Sequence, residues 1–202
     1  TNLHDYAPRI PSRFEGTEMR CYSSLLNAGD LNSKTGANCR NIILRGKGTI
    51  CGGGQELARK IIEDEGARIK SFLDDNEELV KSCENHDTIP GRVRPRLINL
   101  SNCENVWISG LTLKNAPSWH VHMIYCNDIQ TDHCCFVSEG VWNGDGWDPD
   151  SSTHCTLFAS EFSTGDDAVA IKSGKNPEGN EINRPCAPVS YTHLTLPTIL
   201  LV

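Results

Sequence analysis

The fold is decided by the stretch Asn102-Cys103-Glu104-Asn105-Val106-Trp107-Ile108-Ser109-Gly110, because its pattern recurs along the chain. A polar residue is followed by an apolar one and then by apolar alternation, which is typical of a β-strand with one buried face. Related segments lie at 38–46, 125–133 and 153–159. Their alignment gives two equivalent sets of positions: Ile42, Val106, Ile129 and Cys155, and two residues later Leu44, Ile108, Thr131 and Leu157.

The spacing of these segments predicts a β-solenoid. Val106 and Ile129 are 23 residues apart, and Ile129 and Cys155 are 26 residues apart, which suits one coil per repeat. A β-sandwich is the alternative, but its strands recur roughly every 8–12 residues with hairpin turns. We therefore predict an all-β fold of stacked coils, in which corner Asn side chains hydrogen-bond from one coil to the next.

An insertion and an atypical tail interrupt the repeat. The 64 residues from Ile42 to Val106 exceed one coil, and helical spacing predicts a short helical insertion around 55–83. Its apolar residues are Leu57, Ile61, Ile62, Ile69, Phe72 and Leu73. We expect two amphipathic helices that are separated by Gly66 and lean on the solenoid. Residues 1–187 are predicted to form one partial β-helix domain. Residues 188–202 match no coil and are interpreted as a non-native tail, with a genuine apolar C-terminal strand as the alternative.

The net charge argues against certain binding partners, and the spacing of the cysteines argues against one kind of metal site. A net charge of -7 argues against nucleic acid and against an anionic membrane surface. No pair among the ten cysteines has C-x-x-C spacing, which argues against a structural zinc site. A secreted disulfide framework is one interpretation. Because Cys39, Cys103 and Cys126 fall at matching places in the repeat, we favour buried thiols that stack inside the solenoid.

Carboxylates are concentrated in two successive coils, 143–150 and 163–174. Asp145 and Asp166 are 21 residues apart, and one turn of a solenoid advances one layer of about 4.8 Å. Asp145, Asp166 and Asp167 are therefore expected to converge on one patch. Crowded carboxylates oppose each other's ionisation, and cleavage of a glycosidic bond needs one protonated and one ionised carboxyl.

Other interpretations of these acids stay open. Ca²⁺ also prefers several oxygen ligands, although the spacing does not match an EF-hand loop. Asp and Gly are common in solvated turns, and this is how we interpret Asp148 and Asp150. The neighbouring Gly144, Gly146 and Gly165 are expected to permit tight turns and a close approach of substrate.

Several motifs in the same order resemble those of glycoside hydrolase family 28, the polygalacturonases. Asn143-Gly144-Asp145-Gly146 is similar to the family's Asn-Thr-Asp-Gly motif, and Gly165-Asp166-Asp167 matches its Gly-Asp-Asp motif. The segments 46–54 and 170–176 look like further stretches of bacterial members. The resemblance spans about residues 10–187, with Gly144 in place of the usual Thr and Cys51 in place of an Asp.

This resemblance implies a right-handed parallel β-helix, pectin-lyase-like and here incomplete, that hydrolyses α-1,4-galacturonic acid linkages with inversion. It implies that Asp166 is the general acid, that Asp145 and Asp167 hold and deprotonate the attacking water, and that Lys172 and Asn143 bind substrate. The alternative for Lys172 is an exposed strand-end lysine. The later family motifs, a His beside glycines and an Arg-x-Lys, are expected beyond residue 202, so the chain alone is expected to be inactive.

Trp119 and His122 are further candidates for substrate binding, because they lie one layer before the Asp145 segment. Trp119 is expected to stack on a sugar and His122 to hydrogen-bond it, and the alternative is a packed Trp with surface histidines at 120 and 122. The expected partner is an acidic polysaccharide or oligogalacturonide, bound by a monomer without cofactor or metal. A rhamnogalacturonan or other uronate hydrolase and a non-catalytic carbohydrate-binding solenoid are the alternatives, and both an extracellular and a cytoplasmic location are compatible with the sequence.

Overall fold

The computed structural model describes residues 6–82 and 86–196. These begin with an antiparallel hairpin of β1 (Arg9–Phe14) and β2 (Thr17–Tyr22). Sheet I then consists of β3 (Leu26–Ala28), β6 (Ile98–Ser101), β9 (Val121–Ile124) and β12 (Trp147–Asp150). Sheet II consists of β4 (Cys39–Arg45), β7 (Cys103–Ser109), β10 (Asn127–Asp132), β13 (Thr153–Phe158) and β15 (Val189–Thr192). Sheet III consists of β5 (Thr49–Cys51), β8 (Thr112–Lys114), β11 (Cys135–Val137) and β14 (Glu161–Ser163).

These three sheets make a parallel β-helix, as predicted. Successive coils each place one strand in each sheet, and all neighbouring strands of the three sheets run parallel. The register follows the repeat: Val106 pairs with Ile42 and Ile129, and Ile129 pairs with Cys155. The second aligned set, from Leu44 to Leu157, pairs in the same way.

Apolar side chains fill the inside of the coils and stack from layer to layer. In sheet I the register stacks Ile98, Val121 and Trp147, and all three are fully buried. In sheet III Phe136 stacks on Phe162 with ring centroids 4.5 Å apart. Thr131, which is polar, occupies one of the aligned inward positions. Its hydroxyl has a hydrogen-bond partner, because the indole Nε1 of Trp147 donates to Thr131 Oγ1 at 3.0 Å. A buried hydroxyl without such a partner would be unfavourable.

A left-handed backbone position recurs in every sheet II strand from β4 to β13. Asn41, Asn105, Asp128 and His154 have φ values of 61°, 56°, 58° and 53°, a region that Asn and Asp enter more readily than most residues. Asn105 Nδ2 donates to Asn41 Oδ1 at 2.7 Å, so Asn side chains do link these two coils, but within the strands and not at the predicted corners, where Asn38 and Asn102 bond to loop carbonyls. Asp128 and His154 continue the backbone conformation in the next two coils without Asn.

The insertion differs from the prediction at Gly66. One helix, α1 (Gly54–Asp75), runs through Gly66 and is followed by α2 (Glu77–Ser82) and a 3-10 helix (His86–Val93). An interior glycine costs a helix only about 1 kcal/mol, and packing of the helix's apolar face outweighs it. Leu57 and Ile61 are buried against Tyr6 and Val93, so α1 leans on the N-terminal segment and the 3-10 helix. The prediction that Phe72 belongs to the packed face was wrong, because it is 61% exposed.

Glu65 links α1 to the hairpin. Its interactions predict that part of the folding stability depends on pH in the acid range. Its carboxylate accepts from Arg68 at 2.7 Å and from Arg9 at 2.6 Å. The hydrogen bond from Arg68, together with that from Arg9, outweighs burial and lowers the Glu65 pKa from 4.5 to about 2. A lowered folded-state pKa stabilises the protein above the unfolded value, and this contribution is lost as the pH falls from about 4.5 towards 2.

We therefore expect Glu65→Gln to reduce the free energy of unfolding by about 1–2 kcal/mol at neutral pH, a value that allows for solvent screening at Arg68. The deficit should shrink as the pH falls through the acid range, which urea titrations at a series of pH values would measure. The matched control is Glu63→Gln, which removes an exposed pair with Arg59 and should change little. A Glu65→Gln deficit that stays constant down to low pH would contradict the assignment.

The hairpin β1–β2 covers the outer face of sheet I, which the sequence did not reveal. Ser12 Oγ donates to Asn99 Oδ1 at 2.9 Å, and Arg13 Nη1 donates to Asp150 Oδ1 at 2.8 Å. Phe14 stacks on Trp119 with centroids 4.7 Å apart. Beneath the hairpin lie the outward-facing residues of sheet I. These are Asn99, His122 and Asp148, which pair in register across three strands and are buried.

The segment after residue 187 takes a place in the solenoid. β15 pairs in parallel with β13, from Cys155 opposite Val189 to Phe158 opposite Thr192, and Val189 and Leu194 pack against the core. The expectation that this stretch matches no coil is therefore corrected for residues 189–192, whereas its non-native origin stays a prediction. Residues 197–202 lie outside the described residues.

The described cysteines are all free thiols. Cys39 pairs with Cys103 in register, and the Cys103 and Cys126 side chains are almost fully buried, which confirms the predicted internal stack. Cys83 lies outside the described residues. Among the helices that the structure describes, none has the length and apolar character to cross a membrane.

Candidate active site

The two acidic segments lie in adjacent layers at the entrance to sheet I. Trp147, the first residue of β12, pairs in parallel with Val169 of the next coil, and Gly146 N donates to Asp167 O at 2.9 Å. Asp145 is thus one layer from the Asp166-Asp167 pair, as the 21-residue spacing predicted. Adjacent coils bring the three carboxylates together, and their roles in catalysis stay a prediction.

The three carboxylates differ in exposure. Asp145 is 5% exposed, whereas Asp166 and Asp167 lie at the surface. Burial raises the pKa of Asp145 to about 6, with Lys172 opposing the rise and Asp166 and Asp167 adding to it. Asp166 accepts the Asp167 backbone N–H at 3.0 Å. One patch therefore combines a buried carboxyl, whose pKa is raised, with two carboxyls at the surface, and acid–base catalysis uses carboxyls in different surroundings.

Lys172 occupies the space between the coils and is not an exposed strand-end lysine. Its side chain is 20% exposed. Its Nζ lies 2.9 Å from Asp148 Oδ1 and 3.4 Å from Asp145 Oδ2, and 4.3 Å from the centroid of the Trp119 ring. The ammonium is therefore committed to protein groups, and direct contact with a substrate carboxylate stays a prediction.

Asp148 and Asp150 correct the turn interpretation, since both are fully buried in β12. Asp150 accepts from Arg13 at 2.8 Å and from His122 Nε2 at 3.2 Å. Burial raises the Asp150 pKa, but His122 and Arg13 outweigh it, so the net shift is downward. The alternation of Trp147-Asp148-Pro149-Asp150 is the strand signal that could have placed both acids on one face.

Asn143 connects the acidic turn to a buried arginine that the sequence did not single out. Arg94 Nη2 donates to Asn143 Oδ1 at 2.6 Å, and Arg94 Nη1 donates to Trp142 O at 2.7 Å. Because guanidinium only donates, the Asn143 oxygen faces Arg94, which leaves its Nδ2 to face Asp166 Oδ2 at 3.4 Å. Asn143 thus contacts Asp166, and its predicted contact with substrate is untested.

Trp119 and the two histidines are buried, so the prediction of surface histidines was wrong. Trp119 is 3% exposed, and its ring is enclosed by Phe14, Arg96, Lys172 and His122. Burial lowers the pKa of His122 to about 4, which keeps it neutral near pH 7. Stacking of Trp119 on a sugar would require the surrounding side chains to move apart. The contact of Trp119 with Lys172, by contrast, is already present in the structure.

The glycines of the acidic turns allow a close approach of the protein itself. A Cβ at Gly144 would lie 2.8 Å from both Ser138 Oγ and Val141 O. A Cβ at Gly165 would lie 2.3 Å from Val141 O. These contacts, rather than left-handed backbone, require glycine, and they explain why Gly144 stands where the resemblance led us to expect Thr. Within residues 6–82 and 86–196, no group of three or more His, Cys, Asp or Glu side chains is arranged to hold a metal ion.

Comparison with known sequences gives a consistent picture. The family model described as Glycosyl hydrolases family 28 matches residues 13–186. A probable polygalacturonase of Vitis vinifera is 36% identical over 103 residues, covering 50% of this chain and 21% of that protein. An exo-poly-alpha-D-galacturonosidase of Dickeya chrysanthemi is 24% identical over 174 residues, covering 79% of this chain and 29% of that protein. The chain therefore spans less than a third of each of these relatives.

Solved structures with the same fold are also found. A hyperthermoactive exopolygalacturonase from Thermotoga maritima superposes with a TM-score of 0.70 at 25% identity, covering 96% of this chain and 47% of that one. A family 28 exopolygalacturonase from Yersinia enterocolitica gives a TM-score of 0.71 at 19% identity, covering 96% and 37%. The second likeness bears on the fold alone.

Proposed function

The chain belongs to glycosyl hydrolases family 28, and on that premise we propose that its protein hydrolyses α-1,4-galacturonosidic bonds of polygalacturonate or its oligomers. The observation that carries the proposal is the stacking of a buried Asp145 on the exposed Asp166-Asp167 pair. A non-catalytic solenoid has no use for crowded carboxylates, because each raises the free energy of ionising the others. The named relatives, which are polygalacturonases and galacturonosidases, support this substrate class.

In the proposed mechanism the exposed carboxyl of Asp166 gives its proton to the leaving glycosidic oxygen. Asp145 and Asp167 hold a water on the opposite face of the sugar and take its proton as it attacks, which inverts the anomeric centre. The raised pKa of Asp145, about 6, suits a base that works near neutrality, because a useful base has a pKa close to the operating pH.

Reducing-sugar release from polygalacturonic acid tests this proposal, with a neutral galactan as the matched polymer. Because the chain spans less than a third of the named relatives, the assay uses the complete gene product beside residues 1–202. We expect release from polygalacturonate and none from galactan. Activity on rhamnogalacturonan alone would favour the other uronate hydrolase, and binding without release from any uronate polymer would favour a carbohydrate-binding solenoid.

A further inference from the structure

The Lys172 ammonium is directed at protein groups among the described residues. An ammonium group has three N–H donors, and its neighbours here are Asp148 Oδ1 at 2.9 Å, Asp145 Oδ2 at 3.4 Å and the Trp119 ring at 4.3 Å. Two carboxyl groups hold the ammonium in place, because Asp148 Oδ1 accepts a hydrogen bond from it and Asp145 Oδ2 lies within reach of its charge. Its position therefore favours action on the carboxylates over a grip on a galacturonate.

Asp148 is the nearest partner of the lysine and holds its ammonium in place. Asp148 is fully buried in β12, and its Oδ2 has no hydrogen-bond partner among the described residues. Burial, opposed by Lys172 and reinforced by the charge of Asp145, raises the Asp148 pKa to about 8. Asp148 therefore holds a proton more tightly than an ordinary Asp, while its Oδ1 still accepts a hydrogen bond from the Lys172 ammonium at 2.9 Å.

We propose that Lys172, seated on Asp148, is a positioning residue that keeps the Asp145 carboxylate charged and in place to activate the attacking water. The proposal rests on the proposed function and deepens it, since Lys172 acts through Asp145 and does not touch the sugar.

Other ionisable groups also face Asp145, and they contribute to the pKa of its carboxyl in wild type and variants alike. They come from β12, the turn before Val169, the connector after the 3-10 helix and the residue that precedes β9: Asp148, Asp166, Asp167, Arg94, Arg96 and His120. Burial lowers the pKa of His120, which leaves it neutral near pH 7. Removal of Lys172 leaves all six in place, so a change in the Asp145 titration reports on the lysine.

The test is a carbon-13 NMR titration of the Asp145 carboxyl in residues 1–202, without substrate, for wild type and Lys172→Met. An opposite charge at this distance lowers a carboxyl pKa by about 1–3 units, so its loss should raise the Asp145 midpoint by about that amount. Lys172→Arg restores a cation and should return the midpoint towards wild type. Lys172→Gln, equally uncharged, replaces the Met variant if that variant does not fold.

Kinetics of the complete gene product on polygalacturonate supply the second readout. The acid limb of the kcat–pH profile should move up with the Asp145 midpoint, while KM changes by less than about threefold. An unchanged midpoint overturns the proposal, and so does a KM raised tenfold or more with an unmoved acid limb, which is the result of a substrate-gripping lysine. The titration needs no activity, so failure of the proposed function is distinguishable from failure of this inference.

Discussion

Asp166→Asn in the complete gene product is expected to lower kcat on polygalacturonate by about 10²–10⁴-fold, the range that a positioned general acid contributes. Asn has the shape of Asp but no proton to give, so the leaving oxygen would depart as an unprotonated alkoxide. KM should change little, because the exposed Asp166 contacts Asn143 and its own turn and the substitution keeps its size. Initial-rate measurements of reducing ends would give both constants.

The matched control is Asp128→Asn. Asp128 is exposed on sheet II and has a left-handed φ of 58°, a conformation that Asn adopts readily. This variant should retain wild-type kcat. If Asp166→Asn keeps more than about a tenth of the activity under the same conditions, the role of Asp166 as general acid must be abandoned.

Asp150→Asn is expected to lower the free energy of unfolding by about 3–5 kcal/mol, because it leaves a buried guanidinium without its countercharge. Arg13 and Asp150 are both essentially unexposed and 2.8 Å apart. Among the described residues, Arg13 also pairs with Glu178, 3.7 Å from Nη2, which is too far for a good hydrogen bond. Urea unfolding of residues 1–202 should show a lower midpoint with an unchanged slope.

Two further variants separate this effect from a general sensitivity to Asp→Asn. Asp74→Asn removes the partner of Lys70 in an exposed pair and should cost less than about 1 kcal/mol. Adding Arg13→Met to Asp150→Asn removes the orphaned charge, so the double variant should be more stable than Asp150→Asn alone. A double variant that is less stable than either single variant would show that Arg13 stabilises through its other contacts, such as Ser151 and the Tyr125 ring.

The solenoid could be predicted because its apolar residues recur at regular intervals along the sequence. The inner face repeats an apolar pattern every coil, and the structure pairs Ile42, Val106, Ile129 and Cys155 as aligned. The insertion was located correctly but divided wrongly at Gly66, because propensity is a weak prior against tertiary packing. The hairpin over sheet I could not be predicted, since no local period records that Ser12 and Arg13 meet residues 87 and 137 positions away.

For the site, spacing by one coil brought Asp145 next to the Asp166 turn, but it did not specify the surrounding charges. Asp148 was interpreted as a turn residue because Asp and Gly are common in turns, and only its burial in β12 and its contact with Lys172 show its place in the site. Arg94 comes from the segment after the insertion, and its contact with Asn143 depends on where that segment re-enters the solenoid. Contacts of this kind follow from tertiary structure alone.

The division of the acidic patch between two layers has a thermodynamic consequence. Asp145 and Asp148 belong to the coil that starts with β12, whereas Asp166, Asp167 and Lys172 belong to the next one. In a solenoid, stability is approximately a sum of neighbour-to-neighbour terms, and segments can open locally at free energies below that of global unfolding. The arrangement of the acids is therefore only as persistent as that single interface, and transient fraying there would separate them while the coils from β3 to β11 remained folded.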